Sequence, residues 1–132
     1  ASVNQRNRFG DTALLLAAMK GGIAGVELLH KNGAQLEPGG WTALHYAVFS
    51  ESMELLEWLL KNGAKFDARA PNGQTALMLA AKQGKLAQVK LLVAADADMD
   101  LEDFDGKSAL ALARAAGQDE VVAYLISAGA VQ

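Results

Sequence analysis

Four stretches of this 132-residue sequence repeat in phase, and nothing else in it constrains the fold as tightly. They are Thr12-Ala13-Leu14-Leu15-Leu16-Ala17-Ala18, Thr42-Ala43-Leu44-His45-Tyr46-Ala47-Val48, Thr75-Ala76-Leu77-Met78-Leu79-Ala80-Ala81 and Ser108-Ala109-Leu110-Ala111-Leu112-Ala113-Arg114. Their first residues are spaced by 30, 33 and 33 positions. A glycine precedes each start by two residues, at Gly10, Gly40, Gly73 and Gly106. Nine residues after each start stands Gly21, Glu51, Gly84 or Gly117, and each unit closes with Gly33-Ala34, Gly63-Ala64, Asp96-Ala97 or Gly129-Ala130. A period of this size makes each unit one supersecondary element that cannot bury its apolar face alone, so the core comes from stacking neighbours.

Within a unit the Thr or Ser fits a helix N-cap, its hydroxyl accepting from an orphan amide of the first turn. Leu at two and four positions on, with Ala at five, makes the apolar stripe of a short helix. The residue at nine, mostly Gly, ends that helix. A second helix then carries Val26/Leu28/Leu29, Leu56/Leu59/Leu60, Val89/Leu91/Leu92 and Val122/Leu125/Ile126 toward the core. Apolar residues are 52% of the chain, much of that Ala, which lets helices approach closely at no side-chain entropy cost.

With these features in place the chain resembles the ankyrin-repeat family, whose period is 33 residues with a T-P-L-H-x-A signature. Ala13, Ala43, Ala76 and Ala109 stand where the family usually has Pro, and only the second unit keeps the His, as His45. The resemblance implies an all-α solenoid of four helix-turn-helix repeats joined by hairpin turns, in a right-handed stack with a concave groove. The chain is expected to be a single domain with repeats over residues 5–34, 35–67, 68–100 and 101–132. Val3-Asn4 aligns with Phe66-Asp67 and Met99-Asp100, so residues 1–4 are expected to be the tail of a further repeat upstream. The connection Leu36-Glu37-Pro38-Gly39-Gly40-Trp41 is three residues short, which is expected to leave a stub and bring Trp41 next to a helix start. The segments from Pro38 to Ala47 and from Pro71 to Met78 are similar to ankyrin proteins of bacterial origin, some of them exported to the periplasm.

The formal net charge is −3 and the basic residues are scattered, which argues against a nucleic-acid partner, since phosphate binding needs a concentrated basic face. There is no cysteine, so disulfides, thiol catalysis and cysteine zinc sites are excluded. No apolar run is long enough to cross a membrane. No signal peptide is visible, and because the sequence starts at Ala1 and not Met a processed or cut chain is expected, cytoplasmic or, if a signal peptide was removed, periplasmic.

Motifs that carry chemistry elsewhere dissolve into the repeat. Gly106-Lys107-Ser108 mimics the end of a phosphate loop, but the glycine that motif needs five residues earlier is Leu101. Asp96-Ala97-Asp98-Met99-Asp100 resembles the opening of a calcium loop, but the sixth place is Leu101 and the twelfth is Lys107. His30 and His45 are the only histidines. As the family's structural histidine, His45 is expected to bond near Thr42. His30 near a helix end favours the dipole. No nucleophile, base and orienting group assemble, so no catalytic residue, cofactor or metal is assigned and the chain is expected not to be an enzyme.

Trp58 and Tyr124 share one core-facing position, whereas Phe9, Trp41, Phe49 and Phe104 fall off the core phase. Ankyrin proteins generally bind through turn tips and the exposed side of the first helices. Carrying those positions over gives Arg8, Phe9, Asp11, Met19 and Lys20, then Trp41, Tyr46, Phe49 and Ser50, then Asn72, Gln74, Lys82 and Gln83, then Phe104, Asp105, Lys107 and Ala115. An aromatic centre flanked by amides and mixed charges is the make-up of a protein-binding patch. Phe9 and Phe104 can also tuck against a neighbouring turn. The chain is therefore expected to be a non-catalytic scaffold that holds a partner protein or peptide in the groove, and a monomer on its own. The alternative is a structural spacer or self-association module with no dedicated ligand in this segment.

Overall fold

The computed structural model describes residues 13–20, 22–34 and 42–130. These residues form helices α1 (Ala13–Met19), α2 (Ile23–Lys31), α3 (Ala43–Ser50), α4 (Met53–Lys61), α5 (Ala76–Lys82), α6 (Leu86–Ala94), α7 (Ala109–Ala115) and α8 (Asp119–Ser127). Each odd-numbered helix has seven or eight residues and each even-numbered one nine. The fold is an all-α repeat solenoid of helix-turn-helix pairs.

The caps explain where the first helices begin. Thr42 Oγ1 accepts from the His45 amide, Thr75 Oγ1 from Met78 and Ser108 Oγ from Ala111, at 3.4, 3.3 and 3.2 Å. Thr12 lies outside the described residues. In α3 the cap is closed from both sides. His45 is buried, and its Nδ1 accepts from the Thr42 amide at 3.4 Å and lies 2.8 Å from the Thr42 hydroxyl. That arrangement is a capping box with His in place of the usual Glu or Gln. An acceptor Nδ1 puts the ring proton on Nε2.

Both kinds of helix stop through a left-handed residue. After the first helices the residue at position nine has φ of 73° at Gly84, 72° at Gly117 and 63° at Glu51. After the second helices Gly33, Gly63 and Gly129 are left-handed, and Asp96 takes the same conformation at φ 74°. The next amide then reaches back to the helix: Ala34 to Leu29, Ala64 to Leu59, Ala97 to Leu92 and Ala130 to Leu125, at 2.9–3.0 Å. These bonds satisfy carbonyls that would otherwise be orphaned at the helix end.

The chain divides into two compact units, Ala1–Lys65 and Phe66–Gln132. In the first, α1 packs on α2 and α3, and α4 packs on α3 and α2. Its core holds Leu14, Leu15, Val26, Leu44, Leu55, Leu56 and Leu59. His30 meets Trp58 edge-on at 5.7 Å. In the second, α5 packs on α6 and α7, and α8 packs on α7 and α6. Its core holds Leu77, Met78, Val89, Leu92, Leu110, Val121 and Leu125. Lys90 Nζ lies 5.6 Å from the centre of the Tyr124 ring. Each such Leu contributes on the order of 1.5–3 kcal/mol relative to exposure.

Six second-helix residues depart from the expected core. Leu29, Leu60, Leu91, Val122 and Ile126 are half-buried at the margin of the stripe. Leu28 is 62% exposed, although it holds the register at which Trp58 and Tyr124 are half-buried against a preceding helix. The core also contains a polar residue. Gln88 stands on α6 where α4 has Leu55 and α8 has Val121, and its buried Oε1 has no hydrogen-bond partner among the described residues.

Candidate interaction surface

In the first unit, the large apolar residues left exposed on the odd-numbered helices share one register. Met19 ends α1 and Phe49 holds the matching position on α3, which packs beside it. Met19 is 44% and Phe49 41% exposed. Tyr46, one turn earlier than Phe49, is half-buried, and the two rings lie 6.4 Å apart at a 46° tilt. Helical periodicity accounts for the arrangement. Leu44, Val48 and the capping residue His45 turn inward, so Tyr46 and Phe49, three residues apart, share the opposite face. The result is an apolar ledge presented by two packed helices.

The same registers in the second unit have another chemistry. Lys82 and Ala115 replace Met19 and Phe49, and Leu79 and Leu112, at the register of Tyr46, are buried. A cleft of about 310 Å³ is lined by Gln74, Lys82, Asp103, Asp105 and Lys107 together with Leu112, Ala115 and Ala116. Two hairpin turns, 70–74 and 103–107, frame it. Each is closed by a backbone pair, Ala70 N–H to Gln74 O and Asp103 N–H to Lys107 O, both 2.9 Å.

Side chains lace these two turns together. Arg69 Nη1 donates to Gly73 O at 2.8 Å and to Glu102 O at 2.5 Å. The Phe104 ring lies on Gly73 so closely that a Cβ there would be 2.7 Å from its Cγ. Asp103 is buried and its Oδ1 accepts from the Asp105 and Lys107 amides, both at 2.9 Å. Burial by itself pushes the Asp103 carboxyl up. The two amides, the Gln74 side chain and the Lys107 charge outweigh that and hold it below the ordinary aspartate range.

The residues expected in the binding patch therefore separate. Met19, Tyr46 and Phe49 form the ledge. Lys82 and Gln83 are exposed at the end of α5, and Asn72 is exposed at a turn tip, where its Oδ1 accepts from the Gln74 amide at 3.0 Å. Gln74 itself is buried and bonded to Asp103, so a partner meets little of its side chain. Phe104, named for the binding patch with tucking against a neighbouring turn as the alternative, is 73% exposed with one part of its ring against Gly73. Phe9 and Trp41 lie outside the described residues, as does the short connection before Trp41. Arg69 and Gln118 escaped the sequence reading. Gln118 Nε2 donates to Lys82 O at 3.2 Å with its amide resting on Gly84. Neither carries a phase signal, because both act between successive repeats of the second unit, on residues 33 to 36 positions apart.

Among the described residues no group of three or more His, Cys, Asp or Glu side chains is placed to hold a metal ion. No described helix is long and apolar enough to cross a membrane. The family model described as ankyrin repeats in three copies matches residues 1–70 and 51–132. The chain is similar to ankyrin repeat and SAM domain-containing protein 6 of Mus musculus, 38% identical over 74 residues that make up 53% of this chain and 8% of the relative. The protein of the same name from Rattus norvegicus matches at 38% over 74 residues, with the same coverage. The chain thus spans under a tenth of the length of these curated relatives. Both are mammalian, and the comparisons lend no support to a bacterial or exported origin.

Proposed function

Since the chain belongs to the ankyrin-repeat family, we propose that it is a non-catalytic interaction module whose apolar ledge, Met19, Tyr46 and Phe49, anchors a partner protein or peptide. Ankyrin repeats generally mediate protein–protein interactions, and the ledge supports a particular place for it. The observation that carries the proposal is the pair of large apolar side chains left more than 40% exposed at one register of two packed helices. Exposed apolar surface gains most when a partner covers it, and aromatic anchors dominate such interfaces. The absence of cysteine suits either compartment named above.

The test places a photo-crosslinking aromatic at position 49 and, separately, at Glu57 on the exposed side of α4. Illumination in lysate of the source organism is expected to give one discrete adduct from position 49 and none from position 57. Equal adducts from both positions contradict the ledge. No adduct from either turns the reading to the spacer role.

A further inference from the structure

The cleft of the second unit has a floor of small residues where the other repeats carry larger ones. Ala115 and Ala116 stand at the end of α7, where the end of α3 has Phe49 and Ser50 and the end of α5 has Lys82 and Gln83. Leu112, one turn earlier, is buried and closes the floor. The volume of about 310 Å³ lies at the lower end of the range for small-ligand sites, about 300–1,000 Å³, so the cleft takes a side chain and not an extended ligand. Lys82, from α5, and Asp105 and Lys107, from the turn 103–107, stand around this floor.

The four charged groups of the cleft cancel formally, yet they are not equally available. Asp103 is buried, and its carboxylate is already answered by the Asp105 and Lys107 amides, the Gln74 side chain and the Lys107 charge. The side chains of Lys82, Asp105 and Lys107 are exposed and make no hydrogen bond or ion pair among the described residues. With Asp103 satisfied, an incoming carboxylate meets two ammonium groups and one carboxylate, and an incoming cation meets the reverse. Helix ends favour cations through their free carbonyls. Here those carbonyls are taken: Ala80, Ala81 and Lys82 accept from the Lys85 and Gly84 amides and the Gln118 side chain, and Ala113 and Arg114 from the Gln118 and Gly117 amides.

We propose that this cleft is a binding site for a glutamate side chain of a partner peptide, with its methylenes on Leu112, Ala115 and Ala116 and its carboxylate held by Lys82 and Lys107. Charge-assisted hydrogen bonds to the two ammonium groups supply the selectivity. The second methylene of glutamate adds apolar contact with the floor that aspartate lacks. Asp105, exposed at the rim, accepts a backbone N–H of the same peptide. The site rests on the interaction role proposed above but uses none of the ledge, so either can fail alone.

The test is an NMR titration of the full chain with short peptides blocked at both ends, alanines flanking a central Glu, Gln or Arg. The Glu peptide is expected to shift the amides of Lys82, Lys107, Ala115 and Ala116 saturably and to bind about 3- to 10-fold more tightly than the Gln peptide. That margin is expected to vanish in Lys82→Gln and at ~0.5 M salt, where exposed pairs are screened. Lys82 is exposed and its side chain bonds to nothing described, so Lys82→Gln keeps the fold and leaves the Asp103 turn untouched. The Met19→Ser/Phe49→Ser variant is expected to bind the Glu peptide as the parent does. Equal affinities for the Glu and Gln peptides, a margin that survives Lys82→Gln, or no shift from any peptide overturns the proposal. So does an Arg peptide that binds these residues more tightly, or loss of Glu-peptide binding in the ledge variant. A Gln peptide with a free C-terminal carboxylate that binds as tightly as the blocked Glu peptide assigns the cleft to a chain terminus and overturns the side-chain assignment.

Discussion

Two residues hold a backbone conformation made for glycine. Glu51 and Asp96 have φ of 63° and 74° at helix ends where the other described repeats use Gly84 and Gly117, or Gly33, Gly63 and Gly129. A left-handed conformation costs a non-glycine residue on the order of 1 kcal/mol, with Asp penalised less than Glu. Glu51→Gly is therefore expected to stabilise the chain by ~1 kcal/mol and Asp96→Gly by ~0.5 kcal/mol. Urea titration followed by helical circular dichroism measures both. These sites were legible in the sequence, because the repeat's own register marks each as a missing glycine. The exposure of Leu28 was not: its register is half-buried at Trp58, Leu91 and Tyr124, and a periodic pattern does not show how much of it a neighbouring helix covers.

At the scale of elements, the hairpin turns 70–74 and 103–107 share one plan with different chemistry. Asn72 caps the first through the Gln74 amide, and Asp103 caps the second through two amides. The folded state lowers the Asp103 pKa, so its contribution to stability is complete above the unfolded-state value and is lost as pH falls through the folded one. We expect urea midpoints of the parent to drop as pH is lowered through and below the ordinary aspartate range. Asp103→Asn is expected to be less stable at neutral pH and to lose part of that slope. Asp103→Ala, which strands two amides, is expected to cost about 1–2 kcal/mol at neutral pH. Identical pH profiles for the parent and Asp103→Asn contradict the assignment. The helices and caps of these elements could be found from Thr42, Thr75 and Ser108 and the Leu stripe after them. The lacing of the turns by Arg69, Gln74 and Phe104 could not, because it depends on which residues of different repeats come to face each other, and a periodic pattern assigns a side chain to a phase without assigning its neighbour.

For the whole molecule, four in-phase repeats made the all-α solenoid legible before any coordinates, since a unit that cannot bury its face alone admits few architectures. The interaction surface was legible in part. Family positions selected Met19, Tyr46 and Phe49, which share a ledge, together with Gln74, which proves buried between two turns. Exposure separates them, and exposure follows from packing between repeats. The most direct test is a titration of the captured partner against the parent, the Met19→Ser/Phe49→Ser double variant and Glu57→Ala on the exposed side of α4, with unchanged circular dichroism confirming the fold of each. Loss of an aromatic anchor costs about 2 kcal/mol or more at an interface centre, so affinity is expected to fall roughly 30-fold or more for the double variant and to stay unchanged for Glu57→Ala. An unchanged affinity in the folded double variant contradicts the ledge as the binding site.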